Sequence, residues 1–132
     1  MYSFQHRRRL KTNKKEQYDK VAVKDLGIDS QILALHHAMA NKCLTDTKIQ
    51  RMIIERIEMR YAAKQMKYGA YITWLSIMEL IDKPDQFKEA LLEKSVKMRS
   101  LRRATVFTQI LNEEERVAII NEHNEKGLKQ EP

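Results

Sequence analysis

The sequence predicts an all-α protein, a single compact domain of about five helices with a flexible basic N-terminal arm. Three observations carry that expectation. Only three Gly and two Pro occur among 132 residues, too few turn residues for an all-β chain. Apolar residues recur at helical spacing through most of the chain beyond residue 25. The charge is also lopsided: +6 of the formal net +7 falls in residues 1–24, where eight basic residues meet only Glu16 and Asp19.

Residues 1–24 form the arm. They show no sustained apolar period, so little burial would offset the entropy of ordering them. Arg7, Arg8, Arg9, Lys11, Lys14 and Lys15 can neutralise phosphates, and Tyr2, Phe4 and Tyr18 interleave with basic residues as aromatic groups able to stack on bases. A solubilising tail, or a segment that folds against a partner protein, are the alternatives for the same residues.

The helical domain spans 25–124, with a polar tail over 125–132. Asp29 and Ser30 are capping types at the head of a first helix over about 30–44, with Ile32, Leu35, His36, Met39 and Cys43 on one face. Thr45 or Asp46 caps a second, whose stripe is Ile49, Met52, Ile53, Ile57 and Tyr61. After Gly69, AYITWLSIMELI is apolar nearly all round and predicts the most buried helix. Lys83-Pro84 ends it, and Pro84 suits the first position of a fourth helix, PDQFKEALLEKSVKMRSL. Its inner stripe is Phe87, Leu91, Met98 and Leu101, beside which Lys94 would have to snorkel.

The segment after Leu101 admits two readings. Thr105, Val106 and Thr108 suit an extended connector, while Phe107, Ile110 and Leu111 sit at helical spacing. We favour the continued helix. Asn112 followed by Glu115 is a capping box, so a last helix begins there, with Val117, Ile119 and Ile120 as its apolar side chains and a frayed end beyond Asn124.

Several functional classes find no support in these residues. The single Cys43 cannot close an intrachain disulfide, which fits a reducing cytosol, and we read Cys43 as a buried small hydrophobe. No apolar stretch follows the N-terminal arginines as a secretory signal requires. The longest run free of Lys, Arg, Asp and Glu, Ser30 to Asn41, falls short of the ~20 residues of a spanning helix. His36 and His37 point about 100° apart on a helix and no Glu-x-x-His box accompanies them, so neither a metal nor another cofactor is expected, and His36 reads as a helix-interface residue. The serines have no evident base partner.

Arg116 and His123, with six residues between them, share a helix face two turns apart. This arginine–histidine spacing resembles the motif of HEPN-type ribonucleases, which are small helical-bundle proteins. The resemblance covers one helix, and Val117 stands where that family usually has a polar residue. It implies that Arg116 stabilises phosphate charge while His123 moves protons at the ribose hydroxyl. The plainer reading pairs Arg116 loosely with Glu113 and leaves His123 exposed near a fraying end. The stretch ILNEEER is also similar to the helix starts of Spy- and CpxP-type periplasmic chaperones, with Asn112 for threonine and Glu115 for glutamine. A capping box explains the same residues.

A second basic cluster, Lys94, Lys97, Arg99, Arg102 and Arg103, lies within ten residues. Its default is a solvated face, and its sharper reading is a phosphate-binding face acting with the arm. The leading expectation is therefore a non-enzymatic cytosolic binding or regulatory module. Its partners would be nucleic acid, through the arm and residues 94–103, and a cognate protein, through an exposed helix face. Homo-oligomers are possible, and no membrane is involved. The runner-up is a metal-independent ribonuclease using Arg116 and His123, and the third reading is a structural or assembly protein.

Overall fold

The structure, a computed structural model, describes the backbone of residues 27–130 and the side chains of residues 27–126. Two units divide the chain, Met1–Ser30 and Gln31–Pro132. Of the first, residues 27–30 are helical. The arm over 1–24, with Arg7, Arg8, Arg9, Lys11, Lys14 and Lys15, lies outside the described residues.

The second unit is built from six helices among the described residues, with no strand. They are α1 (31–44), α2 (Thr47–Ala62), α3 (Tyr68–Glu79), α4 (Pro84–Leu91), α5 (Val96–Arg103) and α6 (Glu113–Gln130). The all-α class is as the sequence predicts. Asp29 and Ser30, read as caps, are themselves in helical conformation.

Local chemistry explains most boundaries. Asp46 caps α2 by accepting from the Lys48 amide at 2.9 Å. At the far end of α2, Lys64 turns into the left-handed region with φ 59°, while the Gln65 amide donates to the Arg60 carbonyl at 2.8 Å. Gly69 sits inside the first turn of α3 instead of before it. Pro84 opens α4 as expected, since its missing N–H would have no helical partner there.

The predicted fourth helix is two helices. Residues 92–95 leave helical conformation, and the Ser95 hydroxyl accepts from the Met98 amide at 3.1 Å, starting α5 afresh. Lys94 therefore lies on the exposed link and not beside the apolar stripe. This split raises the helix count from five to six.

The second correction falls at residues 104–112, where the expected continuation of the helix gives way to an irregular loop. Thr105 competes with the helix locally, because its hydroxyl accepts from the Phe107 amide at 3.0 Å. Gln109, at φ 64°, turns the chain further. The Asn112–Glu115 box then starts α6 as predicted: the Glu115 amide donates to Asn112 Oδ1 at 2.7 Å, and the Asn112 amide donates to Glu115 Oε1 at 3.0 Å. α6 continues to Gln130, beyond the expected fraying point, with Glu122 and Lys126 paired at 3.0 Å one turn apart.

Among the described side chains, the core draws on α1 to α5 and on the loop before α6. Met39, Ala40 and Cys43 come from α1, Ile53 and Ile57 from α2, and Trp74, Ile77 and Met78 from α3. Phe87 and Leu91 come from α4 and Met98 from α5, while the loop supplies Val106, Phe107 and Ile110. Phe107 lies at the centre, its ring tilted against Trp74 at 5.9 Å and His36 at 6.0 Å. α2 packs on α3 and α3 on α4. Of the stripe predicted for α2, Met52 and Tyr61 face solvent. Val117, expected to pack, is exposed, and Ile119 and Ile120 are half-buried.

Cys43 is fully buried, as read, and burial, with the Asp46 charge adding to it, pushes its thiol up to about 11. Among the described residues no helix is long and apolar enough to cross a membrane.

The placement of Phe107 makes the loop part of the core. Phe107→Ala is expected to lower unfolding free energy by about 3–5 kcal/mol, whereas Val117→Ala changes it by less than about 0.5 kcal/mol. Urea denaturation of both variants checks this, and equal effects would contradict the assigned burial.

Candidate functional site

A buried irregular loop leaves carbonyls that no helix can satisfy. Two arginines of α2 reach them. Arg56 Nη1 donates to the carbonyls of Val106 at 2.7 Å and Thr108 at 2.6 Å. Arg60, one turn on, donates through Nη1 to the Thr105 carbonyl at 2.8 Å and through Nη2 to the Thr108 hydroxyl at 3.4 Å. Burial, and then the charge of Arg60, lower the pKa of Arg56. Neither arginine stands out in the sequence. The available signal is position, since Arg56 and Arg60 flank the Ile53–Ile57 stripe and so lie at the border of the core.

His36 holds the same loop from the other side. Its Nδ1 lies 2.8 Å from the Ile32 carbonyl and its Nε2 2.8 Å from the Thr105 hydroxyl. A carbonyl only accepts, so Nδ1 carries the proton, and neutral Nε2 accepts from Thr105. The Thr105 oxygen thus donates to His36 while accepting from the Phe107 amide. Burial is the main cause that pushes the imidazole down to about 4; the Ile32 carbonyl opposes the shift and the Arg102 charge adds to it. The helix-interface role expected of His36 is what the structure displays, while His37 is exposed.

The basic cluster does not act as one unit. Lys94, Lys97 and Arg103 are exposed and Arg99 is half-buried, with Arg99 and Arg103 one turn apart on α5. Arg102, grouped with them from sequence, is only 4% exposed. Its Nη1 donates to the carbonyls of Leu91 at 2.9 Å and Glu93 at 2.8 Å, which the break between α4 and α5 leaves without helical partners. It belongs to the interior and not to a surface face.

Two clefts meet at Arg103. The first, about 310 Å³, is walled by Leu35, His36 and Met39 of α1, by Thr105, Phe107 and Leu111 of the loop, and by Arg116 of α6. The second, about 520 Å³, is walled by Arg60, Lys67, Trp74, Leu101 and Thr105, among others. Arg103, Thr105 and Thr108 line both, and among the described residues neither cleft has an Asp or Glu in its wall. Sequence reading could not assemble this surface, whose cations come from α2, the α2–α3 link, α5 and α6.

Arg116 opens onto the first cleft, with its Nη1 3.8 Å from Glu113 Oε1, the loose pairing expected. His123, two turns along α6, is half-buried instead of exposed and does not line that cleft. Lys42 fixes the start of α6 through a 2.7 Å ion pair with Glu115. The Asn112 amide, then Lys42, hold the Glu115 carboxyl below its usual range. Among the described residues no group of three His, Cys, Asp or Glu is placed to hold a metal.

Compared with known proteins, the chain matches no family profile, no curated protein and no solved structure.

Two measurements test how the loop is held. Arg56→Ala leaves the buried Val106 carbonyl without its donor and is expected to cost about 2–3 kcal/mol in urea unfolding. For His36, the unfolded imidazole titrates near 6.5 and the folded one near 4. Its contribution is therefore complete above about pH 6.5 and is lost as pH falls toward 4, by about 3 kcal/mol. Unfolding free energy measured between pH 7 and 5 should fall with pH in the parent chain and flatten in His36→Gln. Parallel curves would contradict the neutral, buried assignment.

Proposed function

We propose that the protein is a non-enzymatic nucleic-acid-binding module whose contact face centres on Arg103. The observation that carries this reading is the pair of acid-free clefts meeting at that residue. Lys67 stands on one side and Arg116 on the other, with Lys94, Lys97 and Arg99 on or beside α5. A surface of one charge sign attracts phosphate and raises the encounter rate with a polyanion. Arg7, Arg8, Arg9, Lys11, Lys14 and Lys15 supply further phosphate contacts in this reading. Regulation is the role that suits it, and the setting is the cytosol, given a single cysteine that no intrachain disulfide can use.

Fluorescence anisotropy of labelled single-stranded RNA and duplex DNA across a salt series tests the proposal. The full chain should bind with log K falling on log salt. Removing residues 1–24 should weaken binding and flatten the slope, and Lys97→Ala with Arg103→Ala should reduce the slope further, by about one unit per lost phosphate contact. Unchanged affinity in the double variant would sink the assigned face and favour a cognate protein as the partner.

A further inference from the structure

The first cleft has a chemical character that nucleic-acid binding does not use. Its floor is apolar, formed by Leu35, Met39, Phe107 and Leu111. The two polar atoms of His36 are occupied by the Ile32 carbonyl and the Thr105 hydroxyl, so the imidazole offers a ligand no further polar group. Positive charge is confined to arginines: Arg102 donates inward to Leu91 and Glu93, while Arg103 and Arg116 are exposed and line the opening. Among the described residues no carboxylate lines the wall. Glu113 pairs with Arg116 only loosely, at 3.8 Å, and its side chain is 77% exposed, where solvent screens its charge.

We infer that this cleft is a binding site for a small organic monoanion with an apolar body. The apolar part lies between Leu35, Met39 and Leu111, and the charged head meets Arg103 and Arg116. A volume of about 310 Å³ stands at the lower end of the ~300–1,000 Å³ range of ligand pockets, which selects a single short acyl chain or one ring. The arginine pair suits a carboxylate, since guanidinium groups bind planar oxyanions through charge-assisted hydrogen bonds. The inference is independent of the nucleic-acid reading, because its test contains no nucleic acid.

Octanoate is the probe, titrated into the full chain by calorimetry below its aggregation range, with acetate and 1-octanol as matched controls. One saturable site for octanoate is expected, with acetate and octanol each weaker by about tenfold or more, the scale of one lost charged contact or most of the apolar one. The Arg116 side chain is 53% exposed and its ion pair with Glu113 is loose at 3.8 Å, so Arg116→Ala should keep the parent circular dichroism while losing about tenfold in octanoate affinity. It should leave octanol unchanged. Leu35→Trp, which fills the cleft from a half-buried position, should abolish octanoate binding, and the Arg116→Ala result stands on its own if that variant fails to fold. Octanol binding as tightly as octanoate, several weak sites, absence of binding, or an unaltered titration of Arg116→Ala would each overturn the assignment.

Discussion

Placing an irregular segment inside a helical core creates a demand for hydrogen-bond donors, and most of this structure follows from how that demand is met. Val106, Phe107 and Ile110 are buried, yet their backbone belongs to no helix. A carbonyl buried without a donor costs about 1–3 kcal/mol, so burial of these side chains is favourable only if donors come from elsewhere. Arg56 and Arg60 provide them from α2, and the His36–Thr105 pair fixes the loop's first turn from α1. The loop thereby ties α1 and α2 to the centre of the core, where Phe107 lies between Trp74 and His36.

Arg102 repeats the solution at the break between α4 and α5. Three arginines thus complete the backbone, and a guanidinium suits this work because several donors fan from one planar group that stays charged when half-buried. The consequence reaches the surface. The excess of basic residues counted in the sequence divides into cations facing inward and cations facing solvent, and only the second kind attracts a polyanion. Arg103, next to the inward-facing Arg102, is of the second kind. It therefore joins the two clefts, which also share Thr105 and Thr108 of the loop.

α6 stands apart in its energetics. Among its described side chains, those of residues 113–126, none belongs to the buried core. Its start is fixed by polar chemistry, the reciprocal Asn112–Glu115 bonds and the Lys42 ion pair. Anchoring the helix at its first turn brings Arg116 to the mouth of the first cleft, while His123 lies two turns farther on. Sharing a helix face does not place the two side chains on one cavity.

The features readable from sequence are those decided within a turn or two of chain. The Asp46 cap of α2, Pro84 at the start of α4, the Asn112 box and the apolar face of α1 all depend on neighbours a few residues away, whereas α3, read as apolar nearly all round, buries Trp74, Ile77 and Met78 and leaves Ile72 exposed. His36 at an interface and Cys43 in the core follow from their register on α1. The fate of residues 104–112 could not be read in that way, because Phe107, Ile110 and Leu111 carry a helical period and the local signals conflict. Tertiary structure resolved the conflict through Arg56 and Arg60, about fifty residues away along the chain. The same long-range partners decided that Arg102 turns inward, that Arg103 faces out and that two clefts without acidic residues open beside it. Helix propensity and capping are local energies that a sequence displays directly, whereas carbonyl satisfaction and cavity lining depend on which distant side chains the fold brings within hydrogen-bond reach.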